Sequence, residues 1–233
     1  MTGLPVIPIV NLLVGFIPVA IVLFMMYRWS LDALGGLYAN GRMLLQLLAI
    51  GYVLTYIFDT KNPWIIVLVI VVMIAVSAWI ALRPLEKTTA RLYLITLLAI
   101  GSSGLAILAI VSQLILEMPS WFEPRIVVPL AGMIFANAMN TVSLAAERIE
   151  AELQKISDFT RAQRIALDAA LIPQINGLLA VGLVSLPGMM TGQILSGVSP
   201  IVAARYQIMV MCMIFGSAGL STIIYLKMCR PRA

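Results

Sequence analysis

The sequence contains no histidine, little charge and few cysteines. Of its 233 residues, 11% are charged and 62% are hydrophobic, whereas soluble domains are about 25% charged. A chain with so few charges cannot cover a water-facing surface. With a mean hydropathy of +1.05, it is predicted to be an integral membrane protein. Because most of these residues are needed inside the membrane, they leave no room for a soluble catalytic domain.

Several further absences exclude common classes of chemistry. Cys212 and Cys229 lie in one late hydrophobic segment without C-x-x-C spacing, which argues against a disulfide framework or a zinc site and favours small packing residues. No Walker A, G-x-S-x-G or H-E-x-x-H motif occurs, so the chain is not expected to be an enzyme or to need a cofactor. No spanning segment contains the Asp or Glu that proton relays use. The net charge of +5 implies no nucleic acid, because cytoplasmic loops of membrane proteins are basic.

Long charge-free runs predict an all-α, polytopic membrane protein with about seven transmembrane helices, since a bilayer core needs about 20 apolar residues per helix. The predicted spans are residues 4–27, 42–58, 63–82, 92–116, 126–146, 171–191 and 201–226. Together they predict one transmembrane domain over residues 1–233, in contact with membrane lipid. The first span has no basic residue before it and no cleavage pattern after it, so we interpret it as a retained helix rather than a signal peptide. Pro18 is expected to kink it.

Basic residues are distributed unevenly between the two sides that seven spans define. One side has twelve of the 15 basic residues: Arg28, Arg42, Arg83, Lys87, Arg91, Arg148, Lys155, Arg161, Arg164, Lys227, Arg230 and Arg232. The other side has Lys61, Arg125 and Arg205. Because cytoplasmic loops are enriched in Lys and Arg, this asymmetry predicts an external N-terminus and a cytoplasmic C-terminus.

Two segments between spans have amphipathic character. Residues 28–42, RWSLDALGGLYANGR, are predicted to form a short interfacial helix in the headgroup plane. Residues 147–168, ERIEAELQKISDFTRAQRIALD, carry nine charges, with possible helical pairs Glu152–Lys155, Asp158–Arg161 and Arg164–Asp168. Ile149, Leu153 and Ile156 add an apolar stripe. This second segment is either a solvated extension of the fifth helix or a cytoplasmic docking arm, and the residues alone leave both interpretations open.

The stretch SLPGMMTGQILSGVSP, residues 185–200, interrupts what would otherwise be a long membrane helix. Pro187 removes a backbone donor, so carbonyls in the preceding turn are expected to lose their partners. Broken helices of this kind recur at transporter cavities. The pattern predicts a pathway or gate element containing the adjacent pair Met189 and Met190. A plain kink for helix packing is the alternative.

Amide side chains inside the predicted spans are a second candidate feature. Asn137 and Asn140 lie three residues apart, on one helical face, with Met133 and Thr141 nearby. Gln193 follows the methionine pair. Any one of these amides could simply form an interhelical hydrogen bond, which contributes about 1 kcal/mol or less. Neutral oxygens and thioether sulfurs are also weak ligands that suit a path that must release its cargo.

The stretch LIPQINGLLAVGLVSLPGMMTGQILSGVSPIVAARYQIMVM, residues 171–211, resembles the signature of the Fet-type iron-export ABC transporter permease family. Plant relatives of that family are the aluminium-tolerance half-transporter membrane subunits. GRMLLQLLAIGYVLTYIF (41–58) and VVPLAGMIFANAMNTV (127–142) resemble its second and fifth spans. The GLVSLPGMMTGQI core is the most specific part. Residues 147–168 are shorter than the family's corresponding stretch and lack its L-G-A-T-P-like turn.

The resemblance implies the membrane subunit of an ABC exporter in a cell membrane, with a bacterial inner membrane expected. Such a subunit would pair with itself as a homodimer and with a separate cytoplasmic ABC ATPase, and it would export iron or another metal. A nucleotide sugar is the cargo suggested for some plant members. The rival hypotheses are a stand-alone membrane transporter or channel for a small solute, and a membrane scaffold without cargo.

The residue patterns and the family resemblance together predict specific functional residues. The translocation path or gate is predicted at Pro187, Gly188, Met189, Met190, Gln193, Asn137 and Asn140, near the dimer axis. ATPase docking is predicted on residues 147–168, at Asp158, Arg161 and Arg164. The metal ligands stay unassigned. Without histidine or an intramembrane carboxylate, an oxygen cage for a hard cation would be weak, whereas thioether sulfur suits soft or borderline ions. Iron is therefore implied by the resemblance and not by ligand chemistry.

Overall fold

Helices make up the structure, a computed structural model that describes residues 8–60 and 62–230. The helices are α1 (Ile9–Val14), α2 (Phe16–Arg28), α3 (Ala33–Asp59), α4 (Pro63–Ala81), α5 (Ala90–Ala109), α6 (Pro124–Leu153), α7 (Phe159–Ala180), α8 (Gly188–Leu195) and α9 (Pro200–Met228). A π-helical segment, Ile110–Ile115, continues α5. No strand occurs in the described ranges, which confirms the predicted all-α class. Predictions for residues 4–7, Lys61 and Arg232 lie outside them.

The chain divides into two compact units, Met1–Asp59 and Thr60–Ala233. In the first unit, the chain breaks at Gly15, whose N–H donates to the carbonyl of Leu12 at 3.1 Å. The helix is therefore interrupted at Gly15, three residues before Pro18, and the kink at Pro18 stays a prediction. Proline has no N–H to donate to the carbonyl four residues before it, here that of Val14, so Pro18 is tolerated in the first turn of α2. The prediction of one domain over residues 1–233 stays a prediction.

The predicted interfacial helix over residues 28–42 is wrong. After a short turn, the chain enters α3, which continues without a break from Ala33 to Asp59. The side chain of Asp32 accepts a hydrogen bond from the N–H of Gly35 at 2.7 Å. This bond satisfies an amide at the helix start that has no partner within the helix. Residues 33–42 therefore form the first turns of the same helix that contains the predicted second span.

In the second unit, α6 is the central helix, because it contacts α4, α5, α7 and α9. One face of α6 is fully buried, through Ile134, Phe135, Ala138, Val142 and Ala145. The approach of α5 to α6 requires Gly104, since a Cβ there would overlap the ring of Phe135. The core of the second unit therefore lies around α6.

Six helices in the described residues are long and apolar enough to span a membrane: Val10–Arg28, Ala33–Asp59, Pro63–Ala81, Ala90–Ile115, Pro124–Leu153 and Pro200–Met228. They contain or closely match six of the predicted spans, apart from the residues outside the described ranges. The other predicted span, 171–191, is divided between α7, a loop and α8. The apolar half of α7, residues 169–180, is only about 18 Å long, shorter than the bilayer core of about 30 Å. Seven spans and the orientation of the termini stay predictions.

Residues 147–168 form the end of α6, a turn and the start of α7. We call residues 154–158 the α6–α7 turn. Glu152 is buried and pairs with Arg148 at 2.8 Å, one helical turn earlier, whereas the sequence suggested Lys155 as its partner. Ile149 of the predicted apolar stripe is buried, but Leu153 is exposed. The segment therefore continues the bundle on both sides of a short turn.

Candidate functional site

The helix break lies before Pro187. Helix α7 ends at Ala180, and α8 begins at Gly188 with Pro187 at its N-cap position. We call residues 181–187 the break loop. Gly182 has a φ of +82°, a left-handed conformation that glycine adopts without steric cost. The helix therefore breaks near this glycine, and proline then sets the extended backbone that starts α8.

The break loop satisfies much of its own backbone. The carbonyl of Ala180 accepts hydrogen bonds from Val184 at 2.8 Å and Ser185 at 3.1 Å. The carbonyl of Pro187 accepts from the N–H of Thr191 at 3.0 Å and from its hydroxyl at 3.2 Å. The carbonyls of Ala180 and Pro187 are thus paired, and within the turn before Pro187 the carbonyl of Ser185 accepts from the N–H of Gly182 at 2.9 Å. For the other carbonyls of that turn, the loss of partners stays a prediction.

A cavity of about 580 Å³, which we call cavity A, lies beside α8. Its lining comes from the segment after the π helix, the start of α6, the middle of α8 and the start of α9. Four methionines line it, namely Met118, Met133, Met189 and Met209, together with Gln193, Arg125 and Tyr206. Two of the predicted path residues, Met189 and Gln193, are therefore brought together in one cavity.

The Oε1 atom of Gln193 is buried and has no hydrogen-bond partner in the chain. Leaving a buried acceptor unpaired costs about 1–3 kcal/mol. Such a cost is tolerated where a water, a ligand or a partner supplies the missing donor. Gln193 is therefore a candidate in cavity A for contact with a bound molecule.

Met190 lies on the other side of α8, although it is adjacent to Met189. Successive residues on an α-helix are turned by about 100°, so Met189 and Met190 point in different directions. Met190 lines a second cavity of about 360 Å³, cavity B, between α7, α8 and α9. The adjacent methionines, which were expected to face one path, thus face two separate cavities.

The two asparagines of α6 are not among the described residues that line cavity A or B. Asn137 belongs to a polar cluster between α6 and α7, where Gln174 donates to the Thr141 hydroxyl at 3.1 Å and to Asn137 Oδ1 at 3.5 Å. The side-chain amide of Asn137 also donates to the carbonyl of Met133 at 2.9 Å. Asn140 is exposed. Asn137 thus forms the interhelical bond that was the simpler interpretation of these amides.

Gly188 and Gly192 have open space around them. A Cβ added at either position would meet no atom of the chain within 4 Å. Neither glycine is therefore required by packing inside the chain. If the backbone is closely approached at these positions, the approaching atoms must come from another molecule.

The predicted docking residues lie at the start of α7. One side-chain oxygen of Asp158 accepts hydrogen bonds from the N–H groups of Thr160 at 2.9 Å and Arg161 at 3.2 Å, so Asp158 is the N-cap of α7. Arg161 and Arg164 are exposed. The opposite face of α7 is buried through Ala162, Ala166 and Ala170. Small residues let α7 pack closely, while both arginines stay available to a partner.

Cavity A and the predicted docking residues lie at opposite ends of the second unit. Cavity A surrounds the first turns of α6, and the α6–α7 turn follows its last residue. A helix of 30 residues is about 45 Å long. At the turn end, a small cavity joins the start of α5, the end of α6, the start of α7 and the end of α9. Arg125 and Arg205, predicted to be external, begin α6 and α9 at the other end.

The sequence predicted only two of the residues that line cavity A, Met189 and Gln193. Met118, Met209, Arg125 and Tyr206 line it, yet they come from three separate segments, and no spacing rule joins them. One available signal was Pro129, which lies inside α6 and also lines the cavity, since proline marks irregular helices. In the described residues, no group of three or more Cys, Asp or Glu side chains could hold a metal ion. Sulfur and amide groups are thus the available ligands.

The six apolar helices, the exposed apolar surface and the broken α7–α8 element define a multi-pass, all-helical membrane protein. Residues 9–233 match the family described as "Uncharacterised protein family (UPF0014)". The chain belongs to this family. No solved structure matches it.

Several relatives cover most of the chain. The "UPF0014 membrane protein slr1647" of Synechocystis is 37% identical, over 80% of this chain and 78% of the relative. The "Probable iron export permease protein FetB" of Escherichia coli is 38% identical, over 81% of this chain and 77% of the relative. The "Protein ALUMINUM SENSITIVE 3" of Arabidopsis thaliana is 29% identical, over 93% and 84% respectively. These matches confirm the family resemblance and the membrane location.

Proposed function

We propose that this chain is the membrane-spanning permease subunit of an ABC exporter, and that it moves iron or another metal out of the cytoplasm. ATP hydrolysis would take place in a separate cytoplasmic ATPase, and two copies of the chain would form the path. The iron cargo is supported by the Escherichia coli relative whose name contains iron export. The homodimer is implied by the family resemblance, and the open space at Gly188 and Gly192 would let the backbone of a second copy approach.

The observation that carries this proposal is cavity A. It is large enough for an ion with part of its hydration shell, and it combines four thioethers with the unpartnered amide oxygen of Gln193. Thioether and amide groups bind metal weakly compared with histidine or carboxylate sets. Weak ligands favour release, which an export path requires. Met189 and Gln193 are the proposed path contacts, and Pro187 sets the start of the short helix that presents them.

The test is reconstitution of the chain in proteoliposomes with the ABC ATPase encoded nearest to its gene. We expect the two to co-purify and the ATPase to hydrolyse ATP faster when Fe(II) is present. Transport should require nucleotide. Stable transport by the chain alone, without ATP, would refute the permease assignment in favour of a stand-alone transporter or channel. Absence of any ATPase partner and any cargo would favour a membrane scaffold.

Matched variants connect the activity to cavity A. Gln193→Leu and Met189→Leu should lower metal-stimulated hydrolysis while leaving the ATPase bound. Met213→Leu is the control, because Met213 is 2% exposed and buried elsewhere on α9. Single cysteines at positions 189 and 193, in a chain without its native cysteines, should react with a water-soluble thiol reagent in a nucleotide-dependent way. Equal activity of Gln193→Leu and the control would remove cavity A from the path.

A further inference from the structure

Cavity B contains an unusual set of ligand atoms that the proposed path does not use. Met190 of α8 and Met211 and Cys212 of α9 contribute two thioethers and one thiol to its lining. The remaining lining is Leu178, Val181, Gly182, Ala204, Ile208 and Gln207. None of these described lining residues carries a charge. Three sulfur-containing side chains therefore line one apolar cavity, and Cys212 among them is exposed in the chain.

Gln207 provides an independent sign of a ligand in cavity B. Its side chain is 5% exposed, and its Oε1 atom is buried without a hydrogen-bond partner. Gln207 and Met211 are four residues apart on α9, so they lie on one helical face. No described group of the chain donates to this oxygen, and a bound cation would satisfy it.

We propose that cavity B binds a soft monovalent cation of the Cu(I) class. The ligands are the thioethers of Met190 and Met211 and the thiolate of Cys212, with the Gln207 oxygen as a further contact. This inference goes beyond the proposed function, because it concerns a different cavity and a binding property of the chain alone.

The ligand chemistry selects the class of ion. Hard cations such as Mg²⁺ and Ca²⁺ bind through several oxygens, often from carboxylates, and cavity B offers one amide oxygen. Thioether and thiolate sulfur prefer Cu(I). When the cation binds, the Cys212 thiol loses its proton to the solvent, and the resulting thiolate neutralises the one positive charge of the ion, so the complex is neutral overall. A divalent ion would leave a net positive charge in the apolar interior, which is unfavourable.

A lipid acyl chain is the competing occupant, because the cavity wall is largely apolar. An acyl chain has no group that could pair with the Gln207 oxygen, and it gives no reason for three sulfur atoms to line one cavity. It predicts that Met→Leu changes are neutral, since leucine and methionine have similar volume. Metal binding predicts that the same changes are not neutral, and this difference makes the proposal testable.

The experiment is a competition for Cu(I) between the purified chain in detergent and the chromogenic chelator bicinchoninate, under anaerobic reducing conditions and without ATPase. We expect the chain to take one Cu(I) from the chelator. Replacing both Met190 and Met211 with Leu, or Cys212 with Ser, should weaken binding by about tenfold or more. Met213→Leu on the same helix and Cys229→Ser at its end are the matched controls and should bind as the unchanged chain does. Equal affinity in the double variant and in the Met213→Leu control would overturn the proposal.

A second measurement uses the intact cavity and so does not depend on variant folding. In a Cys229→Ser chain, Cu(I) should slow the alkylation of Cys212 by N-ethylmaleimide by about tenfold or more. In a Cys212→Ser chain, Cu(I) should leave the alkylation of Cys229 unchanged. An unaltered Cys212 rate would contradict the site. Because neither assay involves ATP or transport, its failure would leave the proposed function standing, and loss of transport would leave the binding result standing.

Discussion

Phe135 of α6 occupies the space that a side chain on Gly104 of α5 would need. Phe135 is 1% exposed, and Ile134 lies beside the same glycine. Helices α5 and α6 approach closely because Gly104 of α5 has no Cβ, and the ring of Phe135 fills that space. Small residues at such contacts are a general feature of membrane helix packing, because they let the backbones approach.

Gly104→Ala should therefore destabilise the protein by about 1–3 kcal/mol, the usual cost of inserting a methyl group into a well-packed core. The measurement is thermal unfolding of the purified protein in detergent. Gly101→Ala is the control on the same helix, since a Cβ there would make only an ordinary contact with Ile74 at 3.4 Å. Equal melting temperatures for the two variants would mean that Phe135 adjusts without cost.

Asp158→Ala should cost about 1 kcal/mol of stability, because the N-cap carboxylate of α7 would be lost. Asp158→Asn should retain most of that stability, since the amide oxygen can accept the same bonds from Thr160 and Arg161. Chemical unfolding of both variants measures the difference. If Asp158→Asn is as unstable as Asp158→Ala, then the negative charge contributes more than the two hydrogen bonds do.

Reversing Arg161 and Arg164 to Glu should weaken binding of the ATPase while leaving membrane insertion intact. Both side chains are exposed at the start of α7, so their replacement disturbs no packing. Pull-down of the ATPase by the tagged chain measures the effect. Arg205→Glu is the control, because Arg205 is also exposed but lies near cavity A. An undiminished pull-down by the double reversal would exclude these arginines from docking and make residues 83–91 the next candidate.

Alkylation of Cys229 should be slow at neutral pH and should accelerate as the pH rises. Burial raises the pKa of the Cys229 thiol to about 11, against an opposing effect of its own backbone hydrogen bond and of Arg91. The thiolate is the nucleophile, so its fraction increases until the pH reaches the raised pKa. The rate of iodoacetamide labelling in a Cys212→Ser chain, measured from pH 7 to about 10, checks this. A rate that levels off near pH 9 would show an unshifted thiol.

The fold class could be predicted from the sequence because it depends on composition. A charge-free run that is long enough to cross a bilayer indicates a transmembrane helix, whichever helices pack against it. The α4 and α9 boundaries follow from Pro63 and Pro200, each at the first helical position, where proline is favoured. The predicted interfacial helix over residues 28–42 was wrong because Asp32 caps a helix that continues from Ala33 to Asp59 through both glycines at its start.

The site could be predicted only in part because it depends on which faces meet. Pro187 correctly indicated a break, but the position of the break follows from Gly182 and from hydrogen bonds within the loop. Met189 and Met190 have the same side chain and adjacent positions, so only the rotation of α8 decides which cavity each one lines. The bond of Asn137 depended on Gln174, 37 residues away in the sequence. Such tertiary relationships leave no local pattern.

Helix α6 crosses the second unit as one continuous rod, whereas α7 packs alongside it but stops at Ala180. A force applied at the α6–α7 turn would therefore act on both helices, but each helix would transmit it to a different place. Helix α6 would carry the displacement as far as the lining of cavity A, and α7 would carry it only to the break loop. Because α8 lies beyond that loop, the two walls of cavity A would move by unequal amounts. Sliding of the continuous helix α6 relative to the interrupted α7–α8 element would thus change the width of cavity A without any helix unfolding.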